Sequence, residues 1–504
     1  MKHKAQILVF VFCVLFIKYK AQNYFNNRYD ATGNFDGTNS VDTFQGKYLT
    51  IGIEGVSGSN WGLSSYLLNP DGTVYKKKTF GFAGDNLLPN KGKYIRQGNN
   101  HFYTCGIWAY YGYKTWAFMW RFNNNLDSIK FYQYGYPYKR NVVTNFIKHS
   151  DNSIYMVGYV DDTLQTNADI LLIKTDTAGN EIWKKKIGVT GMDETGYCIK
   201  SSQDGSLIVS GYKNPHNNYG SAGAYILKTD TSGTVLWQQW FPSSHGATAG
   251  DFEEFANGDI FIVAGKGTGA GTVGSITVDY SKLQTIKLSS SGGLIFNKIY
   301  GKDMYDASFV GIVKNNKNNL VAIGQLVSFP SYEVSGIVYE FNNSGDSLDS
   351  REYRLLPNSQ NYFRDLIQTK DKGYCFAGFV IPLSGSGDSG TQDIWLLKVD
   401  SNFCESAIPC NSNVSVNELV NDANWKIYPN PTNGDLTFVF DRDEESSLNV
   451  DIIDLTGRLL MQFDVENGRA MKTINLSELS NGIYYYIVRD KGKLIANDKF
   501  VIIK

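Results

Sequence analysis

An all-β fold is predicted by three features of this chain. These are a strand-like motif that recurs at a near-constant period, a composition rich in aromatic residues and glycine, and tight-turn chemistry between the apolar runs. The motif is a short apolar run closed by glycine: Ser153-Ile-Tyr-Met-Val-Gly158, Ser206-Leu-Ile-Val-Ser-Gly211 and Gly373-Tyr-Cys-Phe-Ala-Gly378, with weaker copies elsewhere. The marker glycines fall at 52, 106, 158, 211, 265, 324 and 378, spaced 52 to 59 residues apart. A period of that length holds four strands and their turns, and seven such units predict a seven-bladed β-propeller rather than a sandwich or a shorter-period solenoid. The 33 Tyr, 29 Phe and 50 Gly against only 11 Pro suit short strands joined by tight turns.

The fourth unit shows the strand order. Strand a is Gly196 to Ser202, strand b is Ser206 to Tyr212, strand c is Ala224 to Thr229 and strand d is Thr234 to Phe241. Asp204-Gly205 and Asp230-Thr-Ser-Gly233 supply the turns, because Asp bonds the local backbone and Gly admits positive φ. The seventh unit stops after its third strand at Asp400. Asn23 to Asp30 is therefore predicted to return as its fourth strand and remove the open edge.

The chain ends differ from the repeat. Residues 1–22 carry a basic start (Lys2, His3, Lys4) and an eleven-residue apolar run, Ile7 to Ile17, which is the pattern of a removable export signal. That run is too short to span a bilayer, and no later segment is long enough, so no transmembrane segment is expected in the mature chain. The repeat region spans 23–410, residues 411–425 read as a polar linker, and 426–504 show a second β pattern predicting a small antiparallel β-sandwich. That last segment carries Tyr428-Pro429-Asn430-Pro431 with Gly434, the Asp454-Leu-Thr-Gly457-Arg turn, Gly482-Ile-Tyr484-Tyr, and a basic end at Lys504. In these residues it resembles the type A C-terminal sorting domain of the type IX secretion system. The resemblance implies passage across an outer membrane by that machinery, a secreted or cell-surface location, and a Bacteroidota-type source. It implies nothing about what the rest of the chain does.

Composition and motifs narrow the chemistry. A net charge of −1 argues against nucleic-acid binding through bulk phosphate attraction. Cys13 lies in the signal, and Cys105, Cys198 and Cys375 sit in apolar runs as buried hydrophobes, while Cys404 and Cys410 are close enough to form a local disulfide in an oxidising compartment. Gly269-Ala-Gly271-Thr-Val-Gly274 matches the dinucleotide fingerprint, but β-like sequence follows where a helix is needed, so an interstrand loop is expected. Gly387-Asp-Ser389-Gly390 lacks a positioned base. The Asp176 to Trp183 and Asp230 to Trp237 segments resemble the repeat of pyrroloquinoline-quinone propellers. Trp recurs there in only two units, no calcium loop accompanies it, and a packing role between blades is expected. No cofactor and no metal are therefore assigned.

Binding residues are expected on the long b–c loops, Ile107 to Thr115, Lys213 to Ala222, Lys266 to Leu283, Leu326 to Ser335 and Val380 to Gln392. The exposed candidates are Trp108, Tyr110, Tyr111, Tyr113, His216, Tyr219, Phe329 and Tyr332, whose rings could stack on sugars or anchor a protein. The reading is a non-catalytic binding or adhesion module for a glycan or protein ligand, with no catalytic residue assigned. The alternative is an extracellular polymer-degrading hydrolase or lyase, which needs carboxylates or histidines facing the central channel.

Overall fold

The computed structural model describes residues 24–29, 35–57, 60–82, 84–89, 95–97, 101–109, 115–162, 167–216, 221–273, 276–301, 303–383, 392–406, 424–441, 448–454, 458–465, 470–490 and 493–504. The chain divides into two compact units, Met1–Cys410 and Asn411–Lys504. Among the described residues no helix is long and apolar enough to cross a membrane.

The first unit is all-β, built from antiparallel meanders. After β1 (Phe25–Tyr29), the meander around Gly52 is β2 (Asp36–Phe44), β3 (Lys47–Ser57), β4 (Asn60–Leu68) and β5 (Val74–Phe80). Around Gly106 two short pieces, β6 (Asn86–Pro89) and β7 (Ile95–Gln97), both pair with β8 (His101–Ala109), which continues to β9 (Thr115–Asn123) and β10 (Ser128–Tyr134). Around Gly158 come β11 (Lys139–Lys148), β12 (Ser153–Asp162), β13 (Asp169–Asp176) and β14 (Glu181–Ile187). Around Gly211 come β15 (Met192–Ser201), β16 (Leu207–Pro215), β17 (Gly223–Thr229) and β18 (Val235–Pro242). Around Gly265 come β19 (Ala247–Glu254), β20 (Ile260–Val273), β21 (Ile276–Leu288) and β22 (Leu294–Tyr300). Around Gly324 come β23 (Tyr305–Lys314), β24 (Leu320–Ser328), β25 (Val334–Phe341) and β26 (Ser347–Tyr353). Around Gly378, β27 (Ser359–Gln368), β28 (Tyr374–Pro382) and β29 (Asp393–Val399) end the run. The fourth strand there is β1, paired antiparallel to β29 from Phe25↔Lys398 to Tyr29↔Ile394.

The first strands of the meanders touch one another and form the inner wall of a β-propeller. Thr144 Oγ1 donates to the Gly196 carbonyl at 2.7 Å, and Asn39 Nδ2 donates to the Pro89 carbonyl at 2.6 Å. The Val41 amide donates to Asp365 Oδ2 at 2.9 Å, which joins the first meander to the last. The apolar core lies between neighbouring sheets. One cluster combines Cys198, Ile208 and Ile226 of one meander with Phe252, Ile260 and Ile262 of the next.

The marker glycines have a common physical cause. The first strands opposite every marker except Gly106 carry a β-bulge near the residue paired with the marker, as at Val143/Asn145 opposite Gly158 and at Gly196/Cys198 opposite Gly211. The bulge pushes a carbonyl over the glycine, so a Cβ at Gly211 would lie 1.8 Å from the Thr195 oxygen and one at Gly158 would lie 1.9 Å from the Val142 oxygen. A bulge of this kind re-aims the strand and tolerates no side chain beneath it.

A second aromatic–glycine contact joins neighbours at the rim. A Cβ on Gly292 would sit 2.8 Å from the Trp237 ring, and one on Gly233 would sit 3.1 Å from Trp183. Tyr132 stands in the same way against Gly179, Phe296 against Gly345, and Phe25 of β1 against Gly72. The position needs a ring rather than an indole, which explains why Trp recurs in only two units.

Two expectations are corrected. The segment from Lys266 to Leu283 is largely a paired hairpin: β20 and β21 stay in register from Gly269↔Tyr280 to Val273↔Ile276, and alternate exposure lets a two-stranded arm extend without a loop. Ile107 to Ala109 belongs to β8 and Thr115 to β9, so that connection is shorter than expected.

The second unit has two sheets over one core. One is β30 (Asn424–Tyr428), β31 (Asp435–Asp441) and β34 (Ala470–Asn475); the other is β33 (Leu459–Val465), β32 (Leu448–Ile453), β35 (Gly482–Asp490) and β36 (Lys493–Ile502). Leu436, Phe438 and Ile474 of the first meet Val450, Ile452, Tyr486, Val488 and Phe500 of the second.

Candidate functional site

An open cleft of about 530 Å³ lies at one end of the Gly158 meander. Its wall is made where the ends of four strands and the following connection converge: Lys139, Val160, Asp161, Asn167, Asp169, Lys186, Thr190 and Gly191. The charges are mostly tied to protein partners. Asp161 accepts a bidentate pair from Arg140, whose Nε lies 3.0 Å from both oxygens. Burial works against the Arg140 charge, but Asp161 outweighs it and pushes the guanidinium above its ordinary value. Lys186 stands 3.5 Å from Asp169, and Asn167 Nδ2 donates to Asp169 at 3.1 Å. The other side of that amide is different: Asn167 Oδ1 is buried and among the described residues has no hydrogen-bond partner.

The Gly211 meander adds a second group beside this cleft. Asp193 accepts the Ala168 amide at 2.9 Å and faces His216, whose Nδ1 lies 3.0 and 3.2 Å from its two oxygens. The His216 amide donates to the Gly191 carbonyl of the cleft wall. Next to it Glu194 and Lys213 form a buried pair at 2.9 Å. Burial pushes the Glu194 carboxyl above its ordinary value, with Lys213 opposing. On the inner wall Tyr197 packs on Tyr212, and Arg140 covers the Tyr159 ring at 5.4 Å.

The aromatic residues expected on exposed loops are placed otherwise where they are described. Trp108 lies within β8, half-buried, and its Nε1 donates to Asp85 at 2.7 Å while its ring meets Phe82 and Phe131. Its place in the strand turns it onto the core rather than to solvent. Phe329 and Tyr332 are half-buried against each other, with Phe329 also against Tyr280 of the hairpin arm. His216 is the candidate that the structure brings to the cleft. Tyr110, Tyr111, Tyr113 and Tyr219 lie outside the described residues, as do the 1–22 segment, Ser389 and Gly457. Cys105, Cys198 and Cys375 are buried thiols outside any disulfide, and Cys404 is disulfide-bonded, while Cys410 lies outside the described residues. Among the described residues no group of three or more His, Cys, Asp or Glu is placed to hold a metal ion. Arg140, Asp161, Asn167, Asp169, Lys186 and Asp193 went unrecognised in the sequence. They carry no motif, and only the folding of β11 to β15 brings them together.

In the C-terminal unit the motif residues knit the two sheets and the chain end. Asn430 Oδ1 accepts the Val501 amide at 2.9 Å, and its Nδ2 donates to the Lys499 carbonyl at 3.3 Å. The peptides Tyr428–Pro429 and Asn430–Pro431 are cis, which turns the chain between β30 and β31. The Gly434 carbonyl accepts the Leu476 amide at 2.6 Å. Tyr484 stacks on Phe500 and donates to the Ser480 carbonyl, Gly482 pairs with Ile502, and Lys504 Nζ donates to the Leu479 carbonyl at 2.6 Å. The family model that covers this segment is the secretion system C-terminal sorting domain, matched over residues 426–504. Residues 426–504 are a sorting domain. The sorting domain implies engagement with type IX secretion machinery and indicates export to the cell surface or the extracellular space.

No curated protein matches the chain. Solved structures similar to it include a protein of unknown function from Dyadobacter fermentans (11% identity, 59% of this chain and 89% of that one, TM-score 0.34). An endo-arabinase from Bacteroides thetaiotaomicron is 9% identical over 47% of this chain and 88% of that one, TM-score 0.30. An exo-beta-1,3-galactanase from Phanerochaete chrysosporium is 13% identical over 84% and 96%, TM-score 0.33.

Proposed function

We propose that this chain is an exported binding propeller that holds a neutral polar ligand, a glycan or a polar protein loop, in the cleft between Lys139 and Gly191. In this reading residues 1–22 are removed on export, 23–410 form seven blades closed by β1, 411–425 are a linker, and 426–504 are a sandwich-type sorting domain. The observation that carries the binding site is Asn167 Oδ1, a buried acceptor without a partner on the wall of an open cleft. An unmet acceptor costs free energy that a ligand hydroxyl or amide would recover. The neighbouring carboxylates are already satisfied by Arg140, Lys186 and His216, which favours holding over proton transfer. The test is a glycan array, with pull-down from extracellular material, on the mature chain. Asn167→Ala and Lys186→Ala should each weaken the bound species about tenfold. An unchanged affinity in both variants overturns the site.

The Asp193–His216 pair favours a second reading, a polymer-cleaving hydrolase or lyase, because a carboxylate that orients one imidazole nitrogen leaves the other for chemistry. New reducing ends released from a polysaccharide panel, and lost in His216→Ala, would replace the first reading with this one.

A further inference from the structure

The first strand β27 carries its bulge at Arg364, between Phe363 and Asp365 in the register with β28. Arg364 is accessible only in part, while Phe363 and Asp365 on either side of it are buried. Its guanidinium lies 5.4 Å from the Tyr362 ring and 4.9 Å from the Phe379 ring, the pair that face each other across β27 and β28. Among the described residues it has neither an ion pair nor a hydrogen bond. The carboxyl groups near it act elsewhere. Asp365 turns away to accept the Val41 and Leu366 amides, and Asp306, whose charge reaches Tyr362, accepts from Ser281. Burial pushes the guanidinium down from its ordinary value, but arginine stays protonated in any protein setting.

A partly buried, permanent cation without a counter-charge is costly to the fold unless something else meets it. Two aromatic faces supply cation–π attraction and lock the planar fork, which is pre-organisation for an anion with two oxygens in one plane. The adjacent meander repeats the pattern in milder form. Gln325, paired with Ser308, holds in β24 the register position that Phe379 holds in β28, and its Oε1 is buried and has no partner among the described residues. We propose that the inner wall of the propeller carries a carboxylate-binding site, with Arg364 taking the carboxylate in a bidentate pair and Gln325 accepting from a hydroxyl of the same ligand. This site is separate from the cleft between Lys139 and Gly191 and does not depend on it. The carboxylate could come from an acidic sugar or from a free organic acid.

The test is isothermal titration of the mature chain with sodium D-glucuronate, sodium acetate and D-glucose at low salt. Glucuronate should bind and glucose should not. Acetate binding as tightly as glucuronate would assign a free-acid ligand, and weaker acetate binding would assign the sugar acid. Arg364→Gln should weaken glucuronate at least tenfold. Arg364→Lys, which keeps the charge and the fold but loses the fork, should weaken it severalfold. Equal binding of glucose and glucuronate, no binding of either carboxylate to the wild-type chain, or full affinity in Arg364→Lys would overturn the proposal.

Discussion

At the scale of single residues, the repeat signature is a matter of space. Gly211 lies under the Thr195 carbonyl, and an added methyl would meet that oxygen at 1.8 Å, so Gly211→Ala should destabilise the propeller by ~3 kcal/mol through forced backbone movement. Gly269 of the hairpin arm has open space, and Gly269→Ala should stay within ~0.5 kcal/mol. Urea titration of the two variants separates a steric glycine from a permissive one. Charge acts locally too. Burial works to raise the Asp151 carboxyl, yet Lys174, the Ser153 amide, Tyr155 and His149 outweigh it and hold the carboxyl well below the usual range. A depressed folded pKa gives stability that is present above about pH 4 and lost as pH falls below it. Asp151→Asn should therefore be less stable than wild type at pH 7, and the gap should narrow by pH 3; a gap that stays constant with pH would remove this assignment. The marker glycines were legible in the sequence because a steric demand at one position recurs in every unit. Trp108 was misread because its indole meets Asp85, 23 residues earlier, and nothing local reports that meeting.

At the scale of elements, the rim contact between a ring on a fourth strand and a turn glycine on the next meander explains a motif that varies in letter but not in role. Trp237 is half-buried and packs against Gly292, and among the described residues its Nε1 has no hydrogen-bond partner. Trp237→Phe should cost under about 1.5 kcal/mol, and Trp237→Ala ~3 kcal/mol, when unfolding is followed by fluorescence of the remaining tryptophans. An equal loss in both would mean that the indole nitrogen matters after all. The closing strand is held in the same way. Phe25 is buried with Tyr48 and Ile394, Trp395 Nε1 donates to Asn26 at 2.7 Å, and Arg28 pairs with Asp393. Phe25→Ala should lower stability by ~3 kcal/mol, and the loss should appear as earlier proteolysis at the N-terminal edge. The arm formed by β20 and β21 was expected to be a loop because its glycines mimic one. The pairing across thirteen residue pairs shows that register, rather than composition, decides whether a glycine-rich run is strand.

At the scale of the whole molecule, the chain joins a propeller to a sorting domain, and the two parts answer different questions. The sorting domain accounts for where the protein goes. A chain lacking residues 426–504 should remain in the cell fraction of a host with type IX secretion, while the full chain reaches the surface or medium, as read by immunoblot of fractions. In the proposed reading the propeller holds the ligand there. Its two candidate sites lie on different meanders: Asn167 and Lys186 on the Gly158 meander, Arg364 on the Gly378 meander.

The amino-acid order by itself determined the period, the strand order within each unit, the return of β1 beside β29 and the sorting motif, because each of these is written in local pattern and fixed spacing. Tertiary structure alone decided which polar groups are left without partners. The cleft gathers side chains from Lys139 to Gly191, His216 reaches Asp193 from 23 residues away, and Arg364 is isolated because Asp365 and Asp306 are engaged with other strands. A hydrogen bond or an ion pair satisfied by a distant strand leaves no trace in local sequence, and neither does one that is missing.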